Sequence, residues 1–392
     1  MSFVPSTGVL TTIGNTNTNQ ISNTLTLGGT QNQQIGQGNA SIMKNRIING
    51  AMVIDQRNLG TSTTAVNATY AACDRWEYFT SQTGKFSCQQ NAGSITPPAG
   101  FTNYLGLTSL SAYTPTTNDY FQVQQNIEGY NVADLGWGTA NAKTITISFW
   151  VYSSLTGTFG GSLINGANSY VYPFSYSIPV ANTWTQISIT VAGPTSGTWY
   201  TTNGLGLSVI FSIGAGSAVQ GTAGAWTSTN ASTVRSSTGA VNVVATNGAT
   251  WYITGVQLEV GSYATGFEYR QYQQELALCQ RYYYKQTAQT NYTLFGGGIA
   301  QTTTTLRTNI TLPVTMRIAA VSFDISALNT WLLENSSAIN TSSLSAVSTS
   351  GNNNANNFQL SWTSSTAVTQ GNYYNMYSLN NTTAYIGISA EL

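Results

Sequence analysis

The chain has 392 residues, of which 12 are Lys or Arg, 12 are Asp or Glu and none is His, so the net charge is zero at neutral pH. Without an imidazole there is no Ser-His-Asp triad, no Cys-His nucleophile, no His metal cage and no His proton switch. Charge at 6% against 41% hydrophobic residues excludes a charge-solvated disordered chain, and scattered basic residues give no patch for nucleic acid.

Solubility falls to Ser, Thr, Asn, Gln and Tyr. Their β-branched and aromatic members favour strands, and Asn and Gly favour turns, so the chain reads as all-β. No apolar run approaches the roughly 18 to 20 residues of a membrane span, and no membrane insertion is expected. The first ten residues lack both a positive charge and an apolar core, so no secretory signal is visible.

Residues 1–43 carry no charge, with lone apolar residues at Ile13, Ile21, Leu25, Leu27 and Ile35. Such a segment cannot bury a core alone. It is either unstructured or an extended stalk or docking segment wound around identical copies, and the scarcity of charge and Pro favours the second. From Lys44 onward charges appear (Arg46, Asp55, Arg57, Asp74, Arg75, Glu77), and a globular domain over 44–266 begins. Within it, 144–152 alternates Ile145, Ile147, Phe149 and Val151 with polar or aromatic residues. The same two-residue period recurs at Ile187–Val191, at Leu207–Ile213, and at Tyr252, Thr254, Val256, Leu258 and Val260. These runs predict a β-sandwich, with Trp76, Trp150, Trp184 and Trp251 in the core. Asn49-Gly50, Asn165-Gly166, Asn203-Gly204 and Asn247-Gly248 fall between the runs and predict type I′ hairpin turns.

Residues 267–285 form the one helical stretch, with Tyr272, Leu276, Cys279 and Tyr283 on one face, and are read as a connecting helix. A second β-sandwich is expected over 286–392, on the inward alternation of Leu306, Thr308, Ile310 and Leu312 and of Phe358, Leu360 and Trp362, with 352–357 as an exposed loop. Gly214-Ala215-Gly216 and Gly296-Gly297-Gly298 lack the Lys-Ser/Thr of a phosphate cradle and read as turns. Three cysteines, Cys73, Cys88 and Cys279, are an odd count that suggests free buried thiols, with a Cys73–Cys88 bridge left open.

Hydrolytic chemistry without His would need two carboxylates about 5 to 10 Å apart. Asp119, Glu128 and Asp134, or Asp74 with Glu77, are the candidates, but nothing in the sequence brings two of them together. Asn118-Asp119 and Asp134 are oxygen-rich without forming an EF-hand. No catalytic residue, metal ligand or cofactor is assigned. Aromatics are more informative: 9 Trp, 23 Tyr and 13 Phe stand in a chain nearly free of charge. Sugar rings stack on aromatic faces and hydrogen-bond to amides and hydroxyls, which makes Trp199, Tyr200, Trp226, Tyr373, Tyr374 and Tyr377, all in loop contexts, candidate glycan contacts. Packing or a subunit interface is the competing reading of each.

Three stretches, NRIINGAMVID at 45–55 with Cys73-Asp74-Arg75-Trp76, ITGVQLEV at 253–260, and ELALCQRYY at 275–283, resemble tailed-phage tail fibre or virion appendage proteins. ISFWVY at 147–152 and WTQISITV at 184–191 are similar to strands of carbohydrate-binding modules. The resemblance implies a jelly-roll module of the carbohydrate-binding type in a non-enzymatic virion protein assembled in the host cytoplasm, homotrimeric, held to other virion proteins through its N-terminal segment and binding a host-surface glycan. It transfers no ligand site, since Asp74, Arg75, Trp76, Gln257, Glu259 and Arg281 look like a structural lattice. Two alternatives stand beside it: an architectural capsid-decorating or head-fibre protein without sugar binding, and a glycan depolymerase using paired carboxylates.

Overall fold

A computed structural model describes residues 43–319, 322–335, 344–351, 353–364 and 366–392. The stalk expected over 1–43 therefore lies, Met43 apart, outside the described residues, as does Asn352 of the expected loop. The first fourteen strands are β1 (Thr63–Thr64), β2 (Thr69–Tyr70), β3 (Glu77–Thr80), β4 (Phe86–Gln90), β5 (Leu105–Ser109), β6 (Tyr120–Glu128), β7 (Ile145–Ser153), β8 (Gly157–Asn165), β9 (Val171–Ile178), β10 (Thr185–Val191), β11 (Leu205–Ala215), β12 (Gln220–Gly221), β13 (Ser236–Ser237) and β14 (Thr250–Val260). Helix α1 (Tyr272–Gln280) follows, then β15 (Tyr283–Thr287), β16 (Leu294–Ala300), β17 (Thr305–Thr311), β18 (Ser322–Ile325), β19 (Trp331–Glu334), β20 (Leu344–Thr349), β21 (Asn357–Ser364), β22 (Tyr373–Ser378) and β23 (Tyr385–Ser389).

The architecture is all-β. Two antiparallel six-stranded sheets, in the orders β1-β4-β5-β14-β7-β10 and β2-β3-β6-β11-β8-β9, face each other over one core. That core includes Trp76, Phe121, Val123, Phe149, Val209, Phe211 and Trp251, all essentially inaccessible to solvent. A second sandwich stacks the sheet β19-β22-β16-β17-β21-β20 on the three-stranded sheet β15-β23-β18, with Trp331, Trp362, Phe358, Leu360, Ile386 and Ile388 between them.

Local chemistry overrides several expectations. Gly255, at φ 62°, sits in a bulge where the β14–β7 register shifts between Thr254 and Gln257. The extra residue flips the alternation. Trp251 and Ile253 face the core before the bulge and Val256 and Leu258 after it, so Tyr252 and Thr254 do not share their face. Trp76 and Trp251 are core, whereas Trp150 and Trp184 are half-buried on an outer face. Trp184 packs there against Tyr104 and Tyr152 and donates its indole N–H to the Thr96 carbonyl. None of the four Asn-Gly pairs closes a two-residue hairpin. Asn165-Gly166 opens the five-residue β8–β9 connection, while Asn49 is buried and holds its own turn, its amide oxygen accepting from Ile54 N at 3.0 Å. The helix is nine residues, shorter than 267–285, because Glu268 and Arg270 are drawn to the 43–47 backbone and Tyr283 joins β15. Gly296–Gly298 lies inside β16 rather than in a turn, and Gly214-Ala215 ends β11. All three cysteines are free and buried, and burial pushes their thiols above the ordinary range, Cys88 to about 12.

Charge is spent on joining the two sandwiches. Arg281, just past α1, makes a two-pronged contact of 2.6 and 2.9 Å with Glu128 at the end of β6, and the Tyr282 hydroxyl donates to the same carboxylate at 2.7 Å. Arg75 is buried against Glu391, and its guanidinium lies 3.6 Å from the Tyr282 ring centre. Arg317 donates to the carbonyls of Asn203, Ala390 and Glu391. The stretch 45–50 clasps the first sandwich through Asn45 on Val256 and Leu258 and through Gln125 on both polar groups of the Ile48 backbone. These motif residues are thus a largely buried lattice, and none of them lines the outward trough of the second sandwich.

Candidate functional site

The six aromatic candidates divide between the two sandwiches. Trp199 and Trp226 form a triad with the buried Trp137, with ring centres 4.8 to 5.4 Å apart and edge-on geometry. Each indole N–H is spent on a backbone carbonyl: Lys143 for Trp137, Ser196 for Trp199 and Ala192 for Trp226. This cluster is packing, with only flanks left to solvent. Tyr200 beside it is 46% exposed. In the second sandwich, strand alternation parts the tyrosines of β22. Tyr374 is buried, its hydroxyl accepting from Thr369 N, so it is removed from the candidate surface, while Tyr373 and Tyr377 point outward.

The outward face of the β19-β22-β16-β17-β21-β20 sheet can be read from its register. One row runs Glu334, Asn375, Gly297, Asn309 and Gln359, and the next runs Tyr373, Ile299, Arg307, Ser361 and Ser348. Cross-strand partners share a face, so these side chains stand side by side. The glycine triplet shapes the middle of the sheet. Gly296 occupies a bulge, and a Cβ on Gly297 would collide with the Tyr373 hydroxyl and the Tyr374 carbonyl. With no side chain at Gly297, the rows of Asn375 and Asn309 become the walls of a trough.

This trough has a volume of about 470 Å³ and is lined by Tyr373, Asn375, Gly297, Arg307, Asn309 and Gln359, among others. Such a size lies within the range of small-ligand sites. Gln359 Nε2 donates to Asn309 Oδ1 at 2.9 Å, which fixes the amide of the exposed Asn309. Tyr373 is 57% exposed and presents a ring face and a hydroxyl. The site thus offers one aromatic ring, several amides and one cation. Of its residues, sequence reasoning named Tyr373 alone. The available signal was the parity of β17: once Leu306, Thr308 and Ile310 are inward, Arg307 and Asn309 must be outward.

The carboxylate candidates do not converge. Asp119 and Glu128 stand at opposite ends of β6, about 30 Å apart at roughly 3.3 Å per residue, too far to act as a hydrolytic pair. Asp134 is exposed beside Arg46 and Lys143, Asp74 accepts from Gln56, and Glu77 accepts from Gln124 and Asn126. Among the described residues no three His, Cys, Asp or Glu side chains cluster as a metal site. Burial alone would raise the Asp119 carboxyl, but hydrogen bonds from Tyr113, Ser81 and Thr116 outweigh it and hold the group well below the usual carboxylate range. A lowered folded-state pKa contributes stability above the unfolded value near 3.8 and loses it as pH falls toward the folded one. Asp119→Asn is therefore expected to cost about 2 kcal/mol at pH 7. Urea denaturation should show that gap narrowing as pH falls below about 4; a constant gap would refute the charge-based account.

No protein-family model matches the chain, and neither does any curated protein. Thirty-two chains of solved structures do match. One is the enzymatically active domain of tailspike protein 4 from bacteriophage CBA120, at 12% identity and a TM-score of 0.31, covering 56% of this chain and 22% of that one. The chain thus spans about a fifth of the length of that tailspike domain. Another is the family 11 carbohydrate-binding module of Clostridium thermocellum in complex with a β-1,3-1,4-mixed-linked tetrasaccharide, at 10% identity and a TM-score of 0.26, covering 52% of this chain and 98% of the module. A third is the CBM22-1–GH10 portion of Clostridium thermocellum xylanase 10B complexed with xylohexaose, at 14% identity and a TM-score of 0.25, covering 54% of this chain and 30% of that one.

Proposed function

We propose that the chain is a phage virion appendage protein that adsorbs to a host-surface glycan through the outward trough of its second sandwich. The observation that carries the binding reading is the trough itself: a glycine-floored channel between asparagine walls, with the exposed ring of Tyr373 on its rim. Pyranose C–H faces pack on such a ring, and their hydroxyls pair with amides. The virion assignment rests on the motifs at 45–55, 73–76, 253–260 and 275–283, which the fold uses as the lattice joining its parts. If copies associate through the N-terminal segment, several weak troughs act together and avidity replaces single-site affinity.

The test is competition of purified full-length protein with phage adsorption. Tyr373→Ala should weaken binding at each trough by roughly 1.5 to 3 kcal/mol, the value of one buried apolar side chain. That amounts to about ten- to a hundredfold in affinity. Trp199→Ala, in the packed triad, should leave competition unchanged if the folded protein is recovered. Full competition by Tyr373→Ala would move the site elsewhere, and no competition by the wild type would favour a purely architectural protein.

A further inference from the structure

The chain has eight arginines, and seven donate from their guanidinium groups to a carboxylate or a backbone carbonyl. Arg307 is the exception. No hydrogen bond or ion pair engages its guanidinium among the described residues, and its Nε is shielded from solvent without a partner. It lies in the trough, one row from the Asn309 and Gln359 amides and two strands from Tyr373. The one acidic residue on this face among the described residues is Glu334, in the edge strand β19. Three strand spacings separate β19 from β17, about 14 Å at roughly 4.8 Å each. With the other seven arginines engaged by protein acceptors, the guanidinium of Arg307 stands in an open, amide-walled channel with its charge available to an anionic group.

Resting on the glycan-binding reading, we infer that the trough selects an acidic saccharide, one whose sugar ring bears a carboxylate that pairs with Arg307 while the ring lies toward Tyr373. A guanidinium is a planar fork matched to the two oxygens of a carboxylate, and a charge-assisted bidentate contact is about twice as strong as a neutral one. Asn309 Nδ2 and the Asn375 amide, which engage no protein group among the described residues, are left to read neighbouring hydroxyls.

The test compares binding of the full-length protein to polygalacturonate, alginate, hyaluronan and polysialic acid with binding to the carboxyl-reduced form of each. At least one acidic member should bind, and reduction of its carboxylates should weaken it tenfold or more. Arg307→Gln should give the same loss on the acidic form and none on the reduced form, with Arg307→Lys recovering part of it. Tyr373→Ala should weaken both forms alike. Binding that survives both carboxyl reduction and Arg307→Gln, yet is lost in Tyr373→Ala, would overturn the acidic selectivity and leave a neutral glycan site. Absence of binding to every member, acidic and reduced, would overturn the inference together with the reading beneath it.

Discussion

Replacing Arg75 by alanine is expected to cost about 3 to 5 kcal/mol and to divide a single unfolding transition into two. The side chain is 1% exposed and is shared by both sandwiches. It pairs with Glu391 near the C-terminal end, donates to the Asn126 carbonyl of β6 and lies against the Tyr282 ring. Removing it leaves the Glu391 carboxylate, itself largely buried, with Arg57 at 3.4 Å as its remaining cation. It also leaves the Asn126 carbonyl short of a donor. A buried charge left with one longer, single-pronged partner is the expensive case; loss of an exposed attraction would be cheaper. Because the contact spans the seam, the loss falls on coupling as well as on total stability. Calorimetry of the wild type should give one transition and Arg75→Ala two, and Glu391→Gln should cost less than Arg75→Ala, because it leaves the Asn126 contact and the Tyr282 ring contact of Arg75 in place. A loss below about 1 kcal/mol would mean that the seam admits water and that its charges count only as a surface network.

Much of this fold is legible in the sequence wherever one periodicity acts alone. The strands at Ile145–Ser153, Leu205–Ala215, Thr305–Thr311 and Asn357–Ser364 fall where apolar and polar residues alternate, because one face of each supplies the apolar side chains of a sandwich core. Legibility fails where a single residue changes the rule. Gly255 reverses parity inside β14, and no local pattern announces a bulge. The Gly296–Gly298 run is locally a turn signal, yet pairing with β17 and β22 on either side holds it extended. The seam is invisible for a different reason: Arg75 and Glu391 lie 316 residues apart, and nothing in either neighbourhood names the other. The trough shares that difficulty. Its walls come from four strands, and only a known register places Arg307 beside Asn309 and Gln359.

The second large effect is expected for Trp362→Ala, at about 3 to 5 kcal/mol. Trp362 is inaccessible to solvent on the inward face of β21, in ring contact with Trp331, which in turn packs edge-on to Phe295 of β16. Its indole N–H donates at 2.9 Å to Thr308 Oγ1, buried on β17. The same strands carry Arg307, Asn309 and Gln359 outward, so the trough rests directly on this aromatic stack. Truncation would leave a cavity beneath β17 and strip the Thr308 hydroxyl of its donor. The damage should appear twice: as destabilisation concentrated in the second sandwich, and as loss of binding at temperatures where the variant is still folded. Trp76→Ala offers the control, since Trp76 is equally buried but belongs to the first sandwich and donates to the Asn49 carbonyl. It should cost similar stability yet spare the trough in the folded protein. Equal loss of binding in both variants would show that the two sandwiches respond as one body, with the seam transmitting strain between them; a loss confined to Trp362→Ala would place the recognition surface in the second sandwich by itself.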